Sequence, residues 1–410
     1  MTTTTTPSWD AGSERFRLST RRMVDPLIPT PDLVQTAAYH PSLSTKGHGK
    51  RPWLEIILGT LSVIGLIAIV TYLWSHSGTI ATVVSALAAG LPLLFVTATF
   101  IWIDRWEPEP KWLLALAFLW GAGMATSLAL ISNQSGQALL GLVTTTASDA
   151  NALTGAIVAP FVEESLKGLG VLILLVARRR HVTSPLDGVV VAGLVGAGFA
   201  FTENILYFMN AGNMLVLTFV MRAIASPFCH SMFTSMTGLA TAMAITRLRG
   251  RHAWWWAAPI GWVTAVLLHS LWNGFATFTG GGFLLVYLVF WVPFFLGWII
   301  IIAVTAAKQR RWIVAGLQGF VEAGWIHPGE VAMIQSLPWR RSARKHARRI
   351  SRRAKRAMTS FQNAASRLGL TYVASVRLGP SPMRQSQTAA DLDELVEARA
   401  CYAREVAAHR

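Results

Sequence analysis

Residues 152–177 read ALTGAIVAPFVEESLKGLGVLILLVA, closed by Arg178-Arg179-Arg180. The stretch is apolar and long enough to cross a bilayer, since a span needs about 20 residues at 1.5 Å rise each. Yet Glu163, Glu164 and Lys167 lie inside it. A charged group at the centre of a spanning helix costs roughly 3 kcal/mol on insertion scales. A chain that keeps three such groups in one span is expected to use them.

Apolar stretches of spanning length occur at Leu54–Trp74, Thr79–Ile103, Trp112–Ile131, Ala152–Ala177, Leu186–Phe208, Met214–Ile245, Trp254–Phe278 and Phe283–Val304. The composition agrees: 53% hydrophobic, 14% charged and a mean hydropathy of +0.44. The expectation is an all-α polytopic membrane protein of about eight transmembrane helices. Lys50-Arg51, Arg105 with Lys111, Arg178–Arg180 and Arg247/Arg249/Arg251 fall in alternate connections, so both termini are expected in the cytoplasm. That alternation requires Met214–Ile245 to count as one crossing, although Pro227 near its middle should kink it or divide it into two pieces.

Residues 1–50 are polar, Thr-rich and without an apolar signal-peptide core, and are expected to form a disordered cytoplasmic arm. The first span is then expected to stay as an uncleaved anchor. Residues 51–307 would form the bundle, and residues 308–410 a small, basic, helical cytoplasmic tail. In Arg340–Leu368, Ala343, Ala347, Ile350, Ala354, Phe361, Ala365 and Leu368 recur at three- and four-residue spacing among many arginines. This predicts a basic amphipathic helix, either resting on anionic lipid headgroups or solvated; nucleic acid is not the expected partner. A last helix is predicted over Asp391–Ala408. Cys229 and Cys401 suit neither a disulfide framework nor a Cys-type zinc site.

Three further polar patterns lie in the spans: Phe199-x-x-x-Glu203-Asn204, His230 with Gly238 eight residues on, and His269-x-x-x-Asn273. Glu163 and Lys167 are four apart on one helix face, so Lys167 is expected to neutralise Glu163 while Glu164 points to another helix. Gly188, Ala192, Gly193, Gly196, Ala197, Gly198 and Ala200 precede Glu203 and should let a neighbouring helix approach closely. Each pattern alone also reads as a buried ion pair or as hydrogen-bonding glue. Together, on four consecutive spans at compatible depth, they suit activation of water for attack on an amide.

Two arrangements fit. In one, Glu203, His230 and His269 bind Zn²⁺ and a glutamate of the 163/164 pair is the general base. In the other, a carboxylate helped by histidine works without metal and Asn273 donates to the oxyanion. No organic cofactor is expected. Other classes compatible with these residues are a proton- or ion-coupled transporter using the Glu/His set as a relay, and a non-catalytic scaffold.

The ordered motifs resemble those of the PrsW family of intramembrane proteases, over roughly Asp104 to Thr305. The resemblance includes the loop Asp104-Arg105-Trp106-Glu107-Pro108-Glu109-Pro110 and the lead Pro185-Leu186-Asp187-Gly188. The family is distantly similar to the type II CAAX prenyl endopeptidases. The resemblance implies a multi-pass protein of the cell membrane that cleaves peptide bonds of a membrane protein, in some members an anti-sigma factor. It also implies an active site of Glu163, Glu164, Glu203, His230, His269 and Asn273, supported by Lys167 and Asn204.

Overall fold

The computed structural model describes residues 53–248 and 252–409. The expected arm 1–50 lies outside them. The described residues are helical throughout, with no strand among them. They divide into two compact units, one ending at Ala306 and the other beginning at Ala307.

The first unit opens with α1 (Trp53–Ile103), two expected spans joined at Gly78. There φ is 72°, a value favouring glycine, and the helix axis breaks. α2 (Lys111–Gly141) contains a π-helical turn at Trp120–Ala125. α3 (Ala159–Ala177) is entered through a short helix, Ala147–Leu153, and a second π-helical turn, Thr154–Val158. α4 (Pro185–Asn210) begins with Pro185 in its first turn. Asp187 fastens that end by accepting from the Thr183 and Ser184 backbone N–H groups at 2.8 and 3.0 Å.

The stretch Met214–Ile245 is in two pieces. α5 (Leu215–Phe219) runs into a π-helical turn, Val220–Ala225, and stops at Ser226. α6 (Cys229–Arg247) starts beyond Pro227, which can neither continue the hydrogen-bond ladder nor allow a helical conformation at the residue before it. α7 (Trp254–Phe278) and α8 (Val292–Glu322) follow.

α4 is the central helix, buried at every position from Pro185 to Phe199. Its small residues set the packing as expected. A Cβ built on Gly188 would stand 2.1 Å from the Gly238 carbonyl oxygen of α6, and one on Gly238 would stand 2.1 Å from the Gly188 oxygen. Further along, Ser231 Oγ donates to the Gly193 carbonyl at 2.8 Å. Around this core the bundle exposes a broad apolar surface, including Ile64, Ile67, Leu91, Leu94, Leu215 and Val216. A lipid environment explains such a surface.

Five helical stretches have the length and composition to cross a membrane: Trp53–Ile103, Lys111–Gly141, Pro185–Asn210, Gly212–Arg247 and Gly280–Glu322. α3 and α7 fall outside that set. Three charged side chains interrupt α3, and tryptophans, His269 and Asn273 make α7 less apolar.

In the second unit the expected single helix Arg340–Leu368 is divided. α9 (Pro328–Ile334) leads to α10 (Leu337–Ile350) and α11 (Arg352–Leu378), and α12 (Pro382–Ala408) is longer than the predicted Asp391–Ala408. Ser351 makes the break. It is extended (φ −158°, ψ 165°), and its Oγ accepts from the Ala354 N–H at 2.8 Å and donates to Glu405 at 2.6 Å. The predicted apolar positions Ala347, Ala354, Phe361, Ala365 and Leu368 are buried within this unit, so they offer no apolar stripe to a bilayer. Arg341, Lys345, Arg348, Arg349, Arg352 and Arg356 are exposed.

Replacing Gly238 with alanine should force α4 and α6 apart and lower stability by about 1–3 kcal/mol, the usual scale for overpacking. Thermal unfolding of the detergent-solubilised chain measures it. Gly141→Ala, where an added Cβ meets nothing, is the control and should be neutral or better.

Candidate active site

Four elements deliver the polar side chains. α3 supplies Glu163, Glu164 and Lys167, α4 supplies Glu203 and Asn204, α6 supplies His230 in its first turn, and α7 supplies His269. The break at Ser226–Phe228 lies four residues after Arg222 and puts His230 beside α4. Broken helices of this kind are tolerated where the backbone is buried in protein.

Lys167 stands at the middle with no solvent exposure. Its Nζ is 2.7 Å from Glu164 Oε1, 3.5 Å from Glu163 Oε2 and 3.3 Å from His230 Nδ1, and it lies 3.9 Å from the centre of the Phe199 ring. The expected pairing of Lys167 with Glu163 is therefore secondary. Glu164 is the closer partner, while also reaching α6 and α7 as expected. Positions three apart share a helix face as well as positions four apart, so the lysine stem reaches both carboxylates.

Glu164 is fully occupied. Oε1 also meets His269 Nδ1 at 3.1 Å, and Oε2 accepts from Thr234 Oγ1 at 2.9 Å. A carboxylate only accepts, so His269 carries its proton on Nδ1 and keeps a lone pair on Nε2. That nitrogen is 3.9 Å from Glu163 Oε2. His230 repeats the arrangement with its nitrogens exchanged. Nε2 is 2.7 Å from Glu203 Oε2 and carries the proton, and Nδ1 faces the Lys167 ammonium as an acceptor. Each imidazole is thus turned by its own carboxylate, as metal-ligating histidines commonly are.

Glu163 differs from the other two glutamates. Asn133 Nδ2 donates to its Oε1 at 3.3 Å, while Oε2 is buried without a hydrogen-bond partner. Ligand atoms of Glu163, His230 and His269 lie within 4.8 Å of one another. One carboxylate oxygen and two imidazole nitrogens match the donor set of a catalytic Zn²⁺ site, and the orphaned oxygen is one that a cation would satisfy. The residues present fit a metal ion. The cluster differs from the expected Glu203, His230 and His269 because Glu203 is engaged by Arg222 and turns His230 from behind.

Asn273, expected at an oxyanion, is tied to the backbone. Its Nδ2 donates to the Gly155 carbonyl at 2.8 Å. In the π-helical turn before α3, residue 160 would bond back to residue 155, but Pro160 has no N–H. Asn273 supplies the missing donor. Asn204 Oδ1 accepts from Arg222 Nε at 2.5 Å.

Arg222, Thr234 and Asn133 were not singled out in the sequence. Arg222 was detectable, because it is the one Lys, Arg, Asp or Glu in Met214–Ile245 and such a residue within a span invites a functional reading. Thr234 and Asn133 carry no comparable signal, since threonine and asparagine are ordinary inter-helix bonding residues.

The fold and this buried centre define a polytopic helical protein with a carboxylate–imidazole site able to hold a metal. The description "PrsW family intramembrane metalloprotease" matches residues 109–323, and the chain belongs to that family. It is similar to a protein named Protease PrsW from Clostridioides difficile (strain 630), 30% identical over 152 residues, or 36% of this chain and 62% of the relative. It is also similar to a Protease PrsW from Geobacillus kaustophilus (strain HTA426), 29% identical over 175 residues, or 42% of this chain and 73% of the relative. The matched region thus spans less than two thirds of the first relative's length. No solved structure matches the chain.

Replacing Lys167 with methionine would leave two buried carboxylates without their cation and should cost about 3–5 kcal/mol. Adding Glu164→Gln should restore part of that loss. Unfolding of the solubilised variants measures both, and equal stability of Lys167→Met and the parent chain would contradict the buried ion pair.

Proposed function

We propose that this chain is an intramembrane endopeptidase that hydrolyses a peptide bond of a membrane protein, an anti-sigma factor or a similar single-span protein being the class of substrate that suits the reading. The observation that carries the proposal is the convergence of Glu163, Glu164, His230 and His269 on one buried centre. Eight crossings with both termini in the cytoplasm of a cell-membrane protein accord with the charge alternation and with the division of α1 at Gly78. The exposed arginines of α10 and α11 would then face anionic headgroups on the cytoplasmic leaflet.

Glu163, His230 and His269 would hold the metal. Such an ion, Zn²⁺ being the natural candidate, supplies Lewis acidity toward a substrate carbonyl and toward water. The rest falls to the side chains. Glu164 keeps His269 Nδ1 protonated, so Nε2 stays an acceptor. Glu203 does the same for His230 through Nε2. Lys167 offsets the carboxylate charge. Three acidic side chains are set against Lys167 and Arg222, a balance that suits a bound cation. Glu163 Oε2, without a hydrogen bond and 3.5 Å from the Lys167 ammonium, is the carboxylate oxygen that would either hold that ion or take a proton from water.

Reconstituted protein should cleave a single-span substrate, and Glu163→Gln or His269→Ala should reduce the rate at least about 100-fold, the scale of losing a general base or its equivalent. Metal analysis separates the two roles of Glu163. Loss of bound metal in Glu163→Gln assigns it as a ligand, and retained metal without cleavage assigns it as the proton acceptor. Cleavage at the parental rate by both variants would overturn the proposal.

A further inference from the structure

Arg222 is a partly buried cation to which the proposed reaction gives no part beyond its charge. It sits in the π-helical turn Val220–Ala225, four residues before the helix break at Ser226. All its contacts go to one side of α4. Nη2 donates to Glu203 Oε2, Nε donates to Asn204 Oδ1 at 2.5 Å, and the guanidinium lies 3.9 Å from the centre of the Tyr207 ring. Residues 203 and 207 are one helical turn apart, and Asn204 adjoins them. A planar fork held at two nitrogens and stacked on a ring cannot rotate freely.

Its relation to His230 follows from donors and acceptors. Arg222 Nη2 is 3.5 Å from His230 Nε2, but guanidinium nitrogens only donate and Nε2 already carries a proton toward Glu203. The two do not bond to each other. They share Glu203 Oε2 as a common acceptor.

We propose that Arg222 is a positioning residue: it fixes Glu203 on the Nε2 side of His230 and so leaves His230 Nδ1 as the acceptor that faces the centre. The inference rests on the reading of Glu163, His230 and His269 as the reactive centre. Without Arg222, Glu203 has no cation holding it against α4, and the Lys167 ammonium at Nδ1 alone opposes movement of the His230 proton to that nitrogen. The lone pair needed at the centre is then lost from part of the population. The break that Pro227 imposes separates the two partners of Glu203. Arg222 on the entering piece and His230 on the leaving piece reach the same carboxylate from opposite sides of Ser226.

The test uses the full chain, purified with ¹⁵N-labelled histidine, and compares the parent with Arg222→Gln, Arg222→Lys and the pair Arg222→Gln/Glu203→Ala, with His230→Asn to assign the signal. The parent should show His230 protonated on Nε2. Arg222→Gln should show a mixture of the two tautomers, and Arg222→Lys should restore only part of the parental signal because it cannot also reach Asn204. Zinc affinity, measured by competition with a chelator, should fall about 10–100-fold in Arg222→Gln, the usual effect of losing an outer partner of a ligand. Glu203→Ala should do the same, and the pair should lose little beyond the worse single change. An unchanged His230 tautomer in Arg222→Gln, or fully additive losses in the pair, would overturn the role. If Arg222→Gln does not fold, Arg222→Lys, which keeps the charge but cannot also reach Asn204, carries the tautomer measurement. Absence of zinc from the parent would count against the metal reading alone, since the tautomer measurement decides the role of Arg222 by itself.

Discussion

A lysine ammonium with no contact to solvent is held between two adjacent glutamates of its own helix and the imidazole of another. Taking these charges from water costs several kcal/mol per ion, and the pairing offsets that only while every partner stays in place. This constraint orders the surrounding structure. Phe199 covers the ammonium, Thr234 and His269 complete Glu164, and the tight crossing of α4 and α6 at Gly188 and Gly238 holds the two helices at that separation. A lone buried carboxylate would be destabilising, so the lysine lets both glutamates stay buried.

Irregular helix supplies the rest. π-helical turns are rare and gather at functional sites. Here one precedes Pro160 and releases a carbonyl that Asn273 takes up, and another carries Arg222 into the break before His230. Both lie within a few residues of the reactive groups. The first sets a freed carbonyl against Asn273, and the second sets Arg222 against Glu203.

Much of this could be read from the residues. Apolar length predicted the helices, the glycines of α4 predicted its close packing, and the ordered motifs predicted which side chains would gather. Hydropathy is weakest where the chemistry lies, because α3 and α7 owe their lower apolarity to the site they carry. Pairing within the site was less legible. Spacing places Lys167 on one face with both glutamates, but only packing decides that Glu164 is nearer. The sequence offers Glu203 as the carboxylate beside two histidines, and only packing brings Arg222 of the following helical stretch onto it. In the second unit, helical periodicity continued across Ser351, while a local serine cap and its bond to Glu405 divided the helix.

X-ray absorption at the zinc edge, on protein purified without chelator, reaches the central claim most directly. The account predicts zinc surrounded by two imidazole nitrogens and carboxylate oxygen, with the imidazole signal halved in His230→Ala and in His269→Ala. A shell containing sulfur, or imidazole scattering unchanged in both variants, would contradict it.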